Sequence, residues 1–404
     1  MSLDRFPYRV PLLNASLVED DAVRAATLMR DGDPARGVVD ALHRHVADAW
    51  AMPYVACFMG GRSALFAIVR ALGLQPGDQV LVPAFTCQAV TNAFSFQGVE
   101  VRFVDIELDT FGMDAAAARR AITPRTRAIL LQYTFGLVCR DMDALCDLAR
   151  QRGLRLIEDC AHATGGTYRG QLLGTFGDIA FFSSERSKIV NSIHGGWAMT
   201  RDPALGAALT AIHASAPEPD AGYVRALLGT MCLAYRQRPD VATSSLPPCL
   251  AELSVQTMAA VPQMQPAELS GLFTPQYGWR MPDAVATLLL PQLQRLDQML
   301  ARRRAGAHRW RVWAERHSVA HARVLPESEP AWLRFPILVD EQIKRCPGDL
   351  ADQLGCEIGV WFTTPMHPQA LTLPDCPQGM QASRCCVNLP TWLPGQGGDG
   401  LSAV

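Results

Sequence analysis

Residues 154–200 bring together the side chains with the clearest capacity for chemistry. A short apolar run in this stretch ends in two acids, Glu158 and Asp159. A second apolar run ends in Ser183, and Lys188, one of only two lysines in the chain, lies five residues later. Because open α/β sheets place their ligands at the carboxyl ends of strands, we expect these polar groups to face one crevice.

One cofactor requires this combination of groups. Pyridoxal 5'-phosphate (PLP) needs a lysine to form a Schiff base, an acid to hold its ring nitrogen protonated, and donors for its phosphate. The sequence predicts Lys188 as that lysine, Asp159 as that acid, and Ser183 as a phosphate ligand. Taken singly, a lone lysine is usually a solvated surface charge and a strand-end acid usually caps a loop. The combination at this spacing favours the cofactor.

The same stretch resembles the DegT/DnrJ/EryC1/StrS aminotransferases. These fold-type-I enzymes often aminate keto-sugars that are carried on nucleotides. The resemblance covers about residues 55–390 and is strongest over residues 60–200. It rests on ordered motifs, which are Glu158-Asp159-Cys160-Ala161-His162, Gly177-Asp178, Phe182-Ser183 followed by Lys188, and Gly195-Gly196.

The resemblance implies an α/β protein of PLP-dependent transferase fold type I. A mostly parallel central sheet would carry helices on both faces, and a smaller C-terminal α/β domain would follow. We expect a large PLP-binding domain at residues 1–275 and a connecting helix with the small domain at residues 276–404. A proline-rich helical insertion at about 213–275 is expected to pack in the core rather than form a lid or a dimer surface. The family also implies a homodimer with each site at the subunit interface.

A glycine-rich turn at Gly60-Gly61 opens a predicted helix. The N-terminus of a helix binds anions because its free N–H groups and its dipole point there, although an ordinary helix cap is the more common reason for such a turn. The resemblance assigns the cofactor phosphate to Arg62 and Ser63. Family members commonly have threonine where Arg62 stands, and an arginine could add a charged phosphate contact.

Two further departures from the family pattern concern the cofactor. An asparagine that reaches the partner subunit's phosphate is replaced by Gly278, so that contact is absent or is supplied by another residue such as Arg62 or Asn191. We expect Arg62 to compensate, unless it points to solvent or pairs with an acid such as Asp178. The aromatic residue that usually stacks on the ring is replaced by Cys87, so Phe85 or a residue from elsewhere is expected to cover the ring. His162, by resemblance, contacts the ring oxygen.

The segments around these residues alternate between strand and helix. From residue 79 to residue 159 the βαβα rhythm predicts a parallel sheet covered on both faces. Beyond it we predict a long helix at Asp283–Arg309, then a strand at Arg334–Val339, a helix near Cys346–Leu354 and a strand at Ile358–Phe362. Two helices, near Gly222–Arg236 and Leu250–Ala259, are expected in the insertion.

Composition excludes several classes of function. The chain has 404 residues and a net charge of −2, so no nucleic acid or other polyanion is implied as a partner. No apolar run approaches the ~20 residues that a membrane helix needs, and the first residues lack the apolar region of a signal peptide. Twelve cysteines without a C-x-x-C pair argue against a metal site or a disulfide framework and indicate a cytoplasmic protein.

These observations favour PLP-dependent amino transfer. An amino acid, expected to be glutamate, would donate its amino group to a keto-sugar, expected to be nucleotide-linked, in polysaccharide or secondary-metabolite biosynthesis. Two alternatives stay open: transfer to a cyclitol or a non-sugar ketone, and a PLP-binding regulator without turnover. Lys188 disfavours the regulator, because a pure binder does not need the lysine as a proton carrier.

Overall fold

The computed structural model describes residues 6–32, 35–253 and 260–395. Its strands, in chain order, are β1 Tyr54–Phe58, β2 Gln79–Pro83, β3 Thr86–Cys87, β4 Glu100–Val104, β5 Thr126–Gln132, β6 Arg155–Asp159, β7 Thr167–Tyr168, β8 Gln171–Leu172, β9 Ile179–Ser183, β10 Gly196–Thr200, β11 Ser328–Glu329, β12 Arg334–Leu338, β13 Met366–His367 and β14 Cys386–Pro390. Its helices are α1 Glu19–Asp31, α2 Val38–Trp50, α3 Gly61–Ala71, α4 Gln88–Ser95, α5 Ala115–Ala121, α6 Met142–Arg152, α7 Pro203–Ser215, α8 Ala221–Arg236, α9 Pro248–Ala251, α10 Pro266–Leu269, α11 Asp283–Gln294, α12 Leu296–Arg316, α13 Glu341–Arg345, α14 Gly348–Leu354 and α15 Pro377–Cys385.

A seven-stranded sheet organises the first half of the chain. Its strand order is β1-β10-β9-β6-β5-β2-β4. Five adjacent strands, β9, β6, β5, β2 and β4, run parallel to one another, whereas β10 is antiparallel to both β9 and β1. The predicted fold class, an α/β protein with a mostly parallel sheet, is therefore confirmed.

Alternating side chains of the central strands bury both faces of the sheet. In β5, Ile129 and Leu131 join a core that α1, α2 and α6 cover. Ala128 and Leu130, which point the other way, join a second core that α3, α4 and α7 cover. This arrangement explains why the strand is a continuous apolar run, since a strand of a parallel sheet has no solvated face.

The edge where β6 and β9 end creates the crevice predicted from the sequence. The two strands are parallel neighbours, with Ile157 opposite Ile179 and Asp159 opposite Phe181. Their carboxyl ends therefore lie side by side, which brings the acids after β6 close to the loop after β9.

The C-terminal region packs into a further core, which also includes Phe85, Phe111 and Phe135 from the first half of the chain. Strands β12 and β14 pair antiparallel, and their apolar residues pack with Trp310 of α12. Two sequence predictions here are wrong. The expected long helix is divided at Arg295, which leaves helical geometry with φ −105° and ψ 17°. The expected strand at 358–362 is absent from the described residues, because the carbonyls of Trp361 and Phe362 accept hydrogen bonds from side chains of Asn388 and Lys344 instead.

The segment at about 213–275, which the sequence predicts as an insertion, is only partly helical. Helix α8 matches the first predicted helix, and Leu227 and Met231 bury in the main core with α1, so the expected core packing is confirmed for α8. The second predicted helix is represented by the short α9, and its remainder at 254–259 lies outside the described residues. In the part of the chain described, no helix has the length and hydropathy needed to cross a membrane.

Candidate active site

A cavity of about 410 Å³ opens at the carboxyl ends of β6 and β9. It collects side chains from the central sheet, from the N-terminus of α3, from the insertion and from the C-terminal region. Seven of the predicted site residues line this cavity, namely Arg62, Ser63, Cys87, Asp159, His162, Ser183 and Lys188.

Phe85 is the exception. Its side chain is fully buried, with its ring centroid 5.0 Å from that of Phe362 and 5.8 Å from that of Phe111. The ring of Phe85 thus packs among aromatic residues that include Phe111 and Phe362. The expectation that Phe85 covers the cofactor is therefore wrong. Phe85 contacts a residue of the site only through its backbone, because its carbonyl accepts a hydrogen bond from the cavity residue Gln132.

The two acids at the end of β6 point to opposite faces of the sheet, as successive strand residues must. Glu158 faces away from the cavity and is fully buried. Its carboxylate accepts hydrogen bonds from the Tyr133 hydroxyl (2.5 Å) and from the backbone N–H groups of Gly174 (2.8 Å), Phe176 (2.7 Å) and Gly177 (2.6 Å). Glu158 therefore holds the glycine-rich connection before β9 in place.

Glu158→Gln should destabilise the fold. The amide has one acceptor oxygen where the carboxylate has two, so buried N–H donors near residues 174–177 would lose their partner. We expect the free energy of unfolding to fall by roughly 2–4 kcal/mol, the scale of one or two unsatisfied buried groups. Urea unfolding measures this change, and an unchanged midpoint would show that the connection does not depend on the carboxylate.

Asp159 faces the cavity and is only 5% exposed. Its Oδ1 accepts a hydrogen bond from the Ala161 N–H at 3.0 Å. Burial raises the pKa of Asp159 to about 6, although the Ala161 N–H and the charge of Lys188 act in the opposite direction. A cationic group against the free side of this carboxylate would stabilise its ionised form.

Lys188 lies in the loop between β9 and β10, where its backbone N–H donates to the Glu185 carbonyl at 2.8 Å. Its ammonium lies 6.0 Å from the ring centroid of Trp361 and makes no hydrogen bond within the described ranges. Burial lowers the pKa of Lys188, and the negative charges of Glu185 and Asp159 only partly offset this. A desolvated amine with a lowered pKa is a better nucleophile near neutral pH.

His162 is a neutral hydrogen-bond donor at the cavity wall. Its Nδ1 accepts a hydrogen bond from the Phe135 N–H at 3.1 Å. Burial, together with the charges of Lys188 and Arg334, holds the pKa of His162 well below its usual range. The single ring hydrogen therefore belongs on Nε2, an assignment that follows from the hydrogen bond at Nδ1.

The N-terminus of α3 forms another part of the wall. Gly61 lies so close to β9 that an added Cβ would stand 2.9 Å from the Ser183 Cβ, which requires a glycine here. The first N–H groups of a helix have no partner within it, so those of α3 remain available to an anion. Ser63 donates its hydroxyl hydrogen to the Gln276 carbonyl (2.8 Å), whereas the Ser183 Oγ accepts from the Glu185 N–H (3.3 Å).

The guanidinium of Arg62 is bound by protein groups. It forms an ion pair with the fully buried Glu268 and donates to the Gln263 carbonyl at 2.7 Å. The Tyr277 hydroxyl donates to the same carboxylate at 2.7 Å. Pairing with Asp178, the alternative expected from the sequence, is wrong. The proposed phosphate contact of Arg62 stays a prediction, and it would have to use donors that Glu268 and Gln263 leave unoccupied.

Comparison with known proteins identifies the family of the chain. The model of the DegT/DnrJ/EryC1/StrS aminotransferase family matches residues 19–235 and 250–396, which is most of the chain. The chain belongs to this family. The predicted resemblance is thus confirmed.

Two relatives of this family member are named for the reactions they catalyse. The chain is 38% identical over 175 residues to a GDP-perosamine synthase of Caulobacter vibrioides, which is 43% of this chain and 47% of that protein. It is 41% identical over 147 residues to an L-glutamine:2-deoxy-scyllo-inosose aminotransferase of Micromonospora echinospora, which is 36% of this chain and 34% of that protein. The chain thus matches less than half the length of these relatives.

A solved structure supports the fold over the whole chain. DesV of S. venezuelae, in complex with a ketimine intermediate, superposes with a TM-score of 0.70 at 23% sequence identity. The alignment covers 95% of this chain and 93% of that one. At this identity the likeness establishes the shared fold of the family.

Sequence reasoning missed several residues that line the cavity of this family member. Gln132 lies at the end of β5, Glu185 and His194 flank Lys188 in its loop, Tyr223 comes from the insertion, and Trp361 comes from the C-terminal region. Gln132 could have been found by the strand-end rule that identified Asp159. Tyr223 and Trp361 carry no such signal, because their positions follow from tertiary packing.

Proposed function

We propose that the chain is a PLP-dependent aminotransferase that moves an amino group from an amino acid to a keto-sugar. The observation that carries this proposal is that Lys188 and Asp159 line the same cavity of a family member. Lys188 offers a desolvated amine without a hydrogen-bond partner in the described residues, and Asp159 offers a buried carboxylate in the same space.

The residues present fit PLP. Asp159 has one hydrogen bond in the described structure, at Oδ1, so its other oxygen can accept from a protonated ring nitrogen. The close approach of Gly61 to Ser183 leaves a cradle that a Cβ would fill, and the free N–H groups of α3 can receive a phosphate there. Ser63, Ser183 and Arg62 border this cradle, and Cys87 borders the cavity near Lys188.

Each group has a defined task in this proposal. When bound, PLP would supply an electron sink for electrons released at the substrate carbon. Asp159 would keep the ring nitrogen protonated. The Nε2–H of His162 would serve as a hydrogen-bond donor to the cofactor. Lys188 would hold the cofactor, and its amine would move the proton at the substrate carbon as a general acid and base.

The acceptor is proposed from the relatives. The name of the Caulobacter protein, GDP-perosamine synthase, supports a nucleotide-linked sugar as the acceptor. Glutamate stays the expected donor, and polysaccharide or secondary-metabolite biosynthesis stays the expected setting. The name of the Micromonospora protein favours a cyclitol ketone as the second candidate. The matched segments are partial, so both acceptors are proposals for this chain.

We also propose a cytoplasmic homodimer that acts on small molecules and uses neither a metal nor nucleic acid. Two exposed apolar residues beside the cavity wall, Leu272 (61% exposed) and Phe273 (54% exposed), support a contact with a second copy. All twelve cysteines are free thiols, which suits a reducing compartment.

A single half-reaction tests the function. The purified protein loaded with PLP should convert its cofactor to the pyridoxamine form when glutamate is added, and 2-oxoglutarate should reverse the change. Absorbance spectroscopy follows both directions without knowledge of the acceptor. If the spectrum of the PLP-loaded protein does not change when glutamate or another amino acid is added, the result would support a PLP-binding regulator without turnover instead.

A further inference from the structure

The loop that carries Lys188 also carries two buried polar side chains without an assigned task. Glu185 is 7% exposed and His194 is 8% exposed, and both line the cavity. Each has one buried atom that makes no hydrogen bond within the described residues, Oε1 of Glu185 and Nε2 of His194. Buried polar atoms almost always have partners, so two such atoms on one cavity wall require an explanation.

Glu185 presents an acceptor. Its Oε2 accepts hydrogen bonds from the N–H (3.0 Å) and the hydroxyl (2.6 Å) of Ser187. Its Oε1 forms an ion pair with Arg186 Nε at 3.4 Å but makes no hydrogen bond within the described residues. Burial opposes ionisation, but the charge of Lys188 and the Ser187 hydrogen bonds outweigh it and lower the pKa of Glu185. The carboxylate is therefore charged, and a carboxylate can only accept.

His194 presents the complementary group. Its Nδ1 lies 2.7 Å from the Tyr223 hydroxyl. Burial and the charge of Arg62 lower the pKa of His194 to about 3, so the imidazole is neutral. When the Tyr223 hydroxyl donates to Nδ1, the ring hydrogen lies on Nε2. The carbonyl of Pro262 favours a hydrogen on the ring as well, although no hydrogen bond of ordinary geometry joins the two residues.

We propose that Glu185 and His194 form a subsite that binds hydroxyl groups on the ring of the acceptor. A hydroxyl can donate to the carboxylate, and a hydroxyl can accept from the imidazole N–H. A polyhydroxylated ring offers both groups on neighbouring carbons, whereas a simple keto acid offers neither. The subsite flanks Lys188, where the acceptor carbonyl must lie, and Tyr223 is the positioning residue that fixes the tautomer of His194. This inference rests on the proposed aminotransferase function.

The test compares two kinds of ketone on the same enzyme. The pyridoxamine-loaded protein is mixed either with 2-oxoglutarate, which has no hydroxyl on its carbon chain, or with a hydroxylated ketone. The hydroxylated probes are 2-deoxy-scyllo-inosose and a UDP-linked 3-keto-N-acetylglucosamine. The kcat/KM for return of the PLP spectrum is measured for each probe in the wild type and in Glu185→Gln.

Glu185→Gln should lower kcat/KM for the hydroxylated ketone by about tenfold or more, the scale of one hydrogen bond to a charged group. The value for 2-oxoglutarate should fall far less or rise, because the substitution removes a negative charge near its carboxylates. An equal loss for both ketones would mean that Glu185 acts through Lys188, and it would overturn the subsite. Unchanged values for both would overturn it as well.

Tyr223→Phe supplies an independent variant that keeps the ring and removes only the hydroxyl. It should also shift the preference away from the hydroxylated ketone, mainly through KM, with a smaller effect than Glu185→Gln. No shift in preference would remove His194 and Tyr223 from the subsite.

The wild type separates this inference from the proposed function. If the PLP-loaded protein fails with glutamate and the pyridoxamine-loaded protein fails with 2-oxoglutarate, the aminotransferase assignment itself is wrong. If both react but neither hydroxylated ketone does, the hydroxyl subsite alone is overturned.

Discussion

Lys188→Ala should abolish amino transfer while leaving the fold and the cavity in place. The variant lacks both the covalent attachment point and the group that carries the proton at the substrate carbon. General acid and base groups contribute about 10²–10⁴-fold to rates, so we expect a loss of roughly 10³-fold or more. The half-reaction with glutamate measures the loss, and equilibrium dialysis of PLP shows that non-covalent binding persists.

Lys344, the only other lysine, supplies the matched control. It is also buried, but its ammonium donates to the Phe362 carbonyl at 2.8 Å in the C-terminal region, and it does not line the cavity. Borohydride reduction of the PLP-loaded protein should therefore fix the cofactor on Lys188 alone, as peptide mapping would show. Lys344→Met should keep this adduct and most of the transfer rate. An adduct on Lys344, or normal turnover in Lys188→Ala, would contradict the assignment.

The sequence could predict Lys188, Asp159 and Ser183 because one local rule positions all three. Each follows a short apolar run, and parallel strands end at the same edge of a sheet. Phe85 escaped this reasoning because its environment is made by Phe111, Phe135 and Phe362, which are remote in the sequence. Local pattern cannot show that such rings will converge.

Two long-range ion pairs escape sequence reasoning in the same way. Arg62 pairs with Glu268 of α10, 206 residues away, and not with Asp178. The break of the long helix at Arg295 lies where that side chain pairs with the buried Asp21, 274 residues away. Long-range ion pairs of this kind leave no periodicity that a reader of the sequence could use.

Asp159→Asn should make the protein without cofactor more stable and the enzyme far slower. The folded state raises the pKa of Asp159 to about 6, above its ordinary value of 3.8, because burial penalises the carboxylate. A group whose pKa is raised by folding stabilises the folded state below its unfolded pKa and loses that contribution as the pH rises through its folded pKa. The wild type should therefore lose roughly 3 kcal/mol from this group between about pH 4 and pH 7.

The asparagine variant has no such loss, so the difference in the free energy of unfolding between the two proteins should grow as the pH rises. Their free energies of unfolding, measured in urea without PLP, should be similar near pH 4, and the variant should be the more stable by up to roughly 3 kcal/mol at pH 7. Titrating groups remote from residue 159 are common to both proteins and cancel in the difference. A difference that does not change with pH would contradict the burial argument.

The same substitution should cost the enzyme at least about 10²-fold in turnover, since a neutral amide cannot hold the ring nitrogen protonated and a preorganised charge at the reacting centre is lost. PLP should still attach to Lys188, because that step does not require Asp159, and borohydride trapping would show it. Glu158→Gln gives the contrast one residue away, with stability lost and the cavity unaltered. Near-normal turnover in Asp159→Asn would show that this carboxylate only caps the end of β6. The loss of folding stability of the wild type near neutral pH would then have no functional reason.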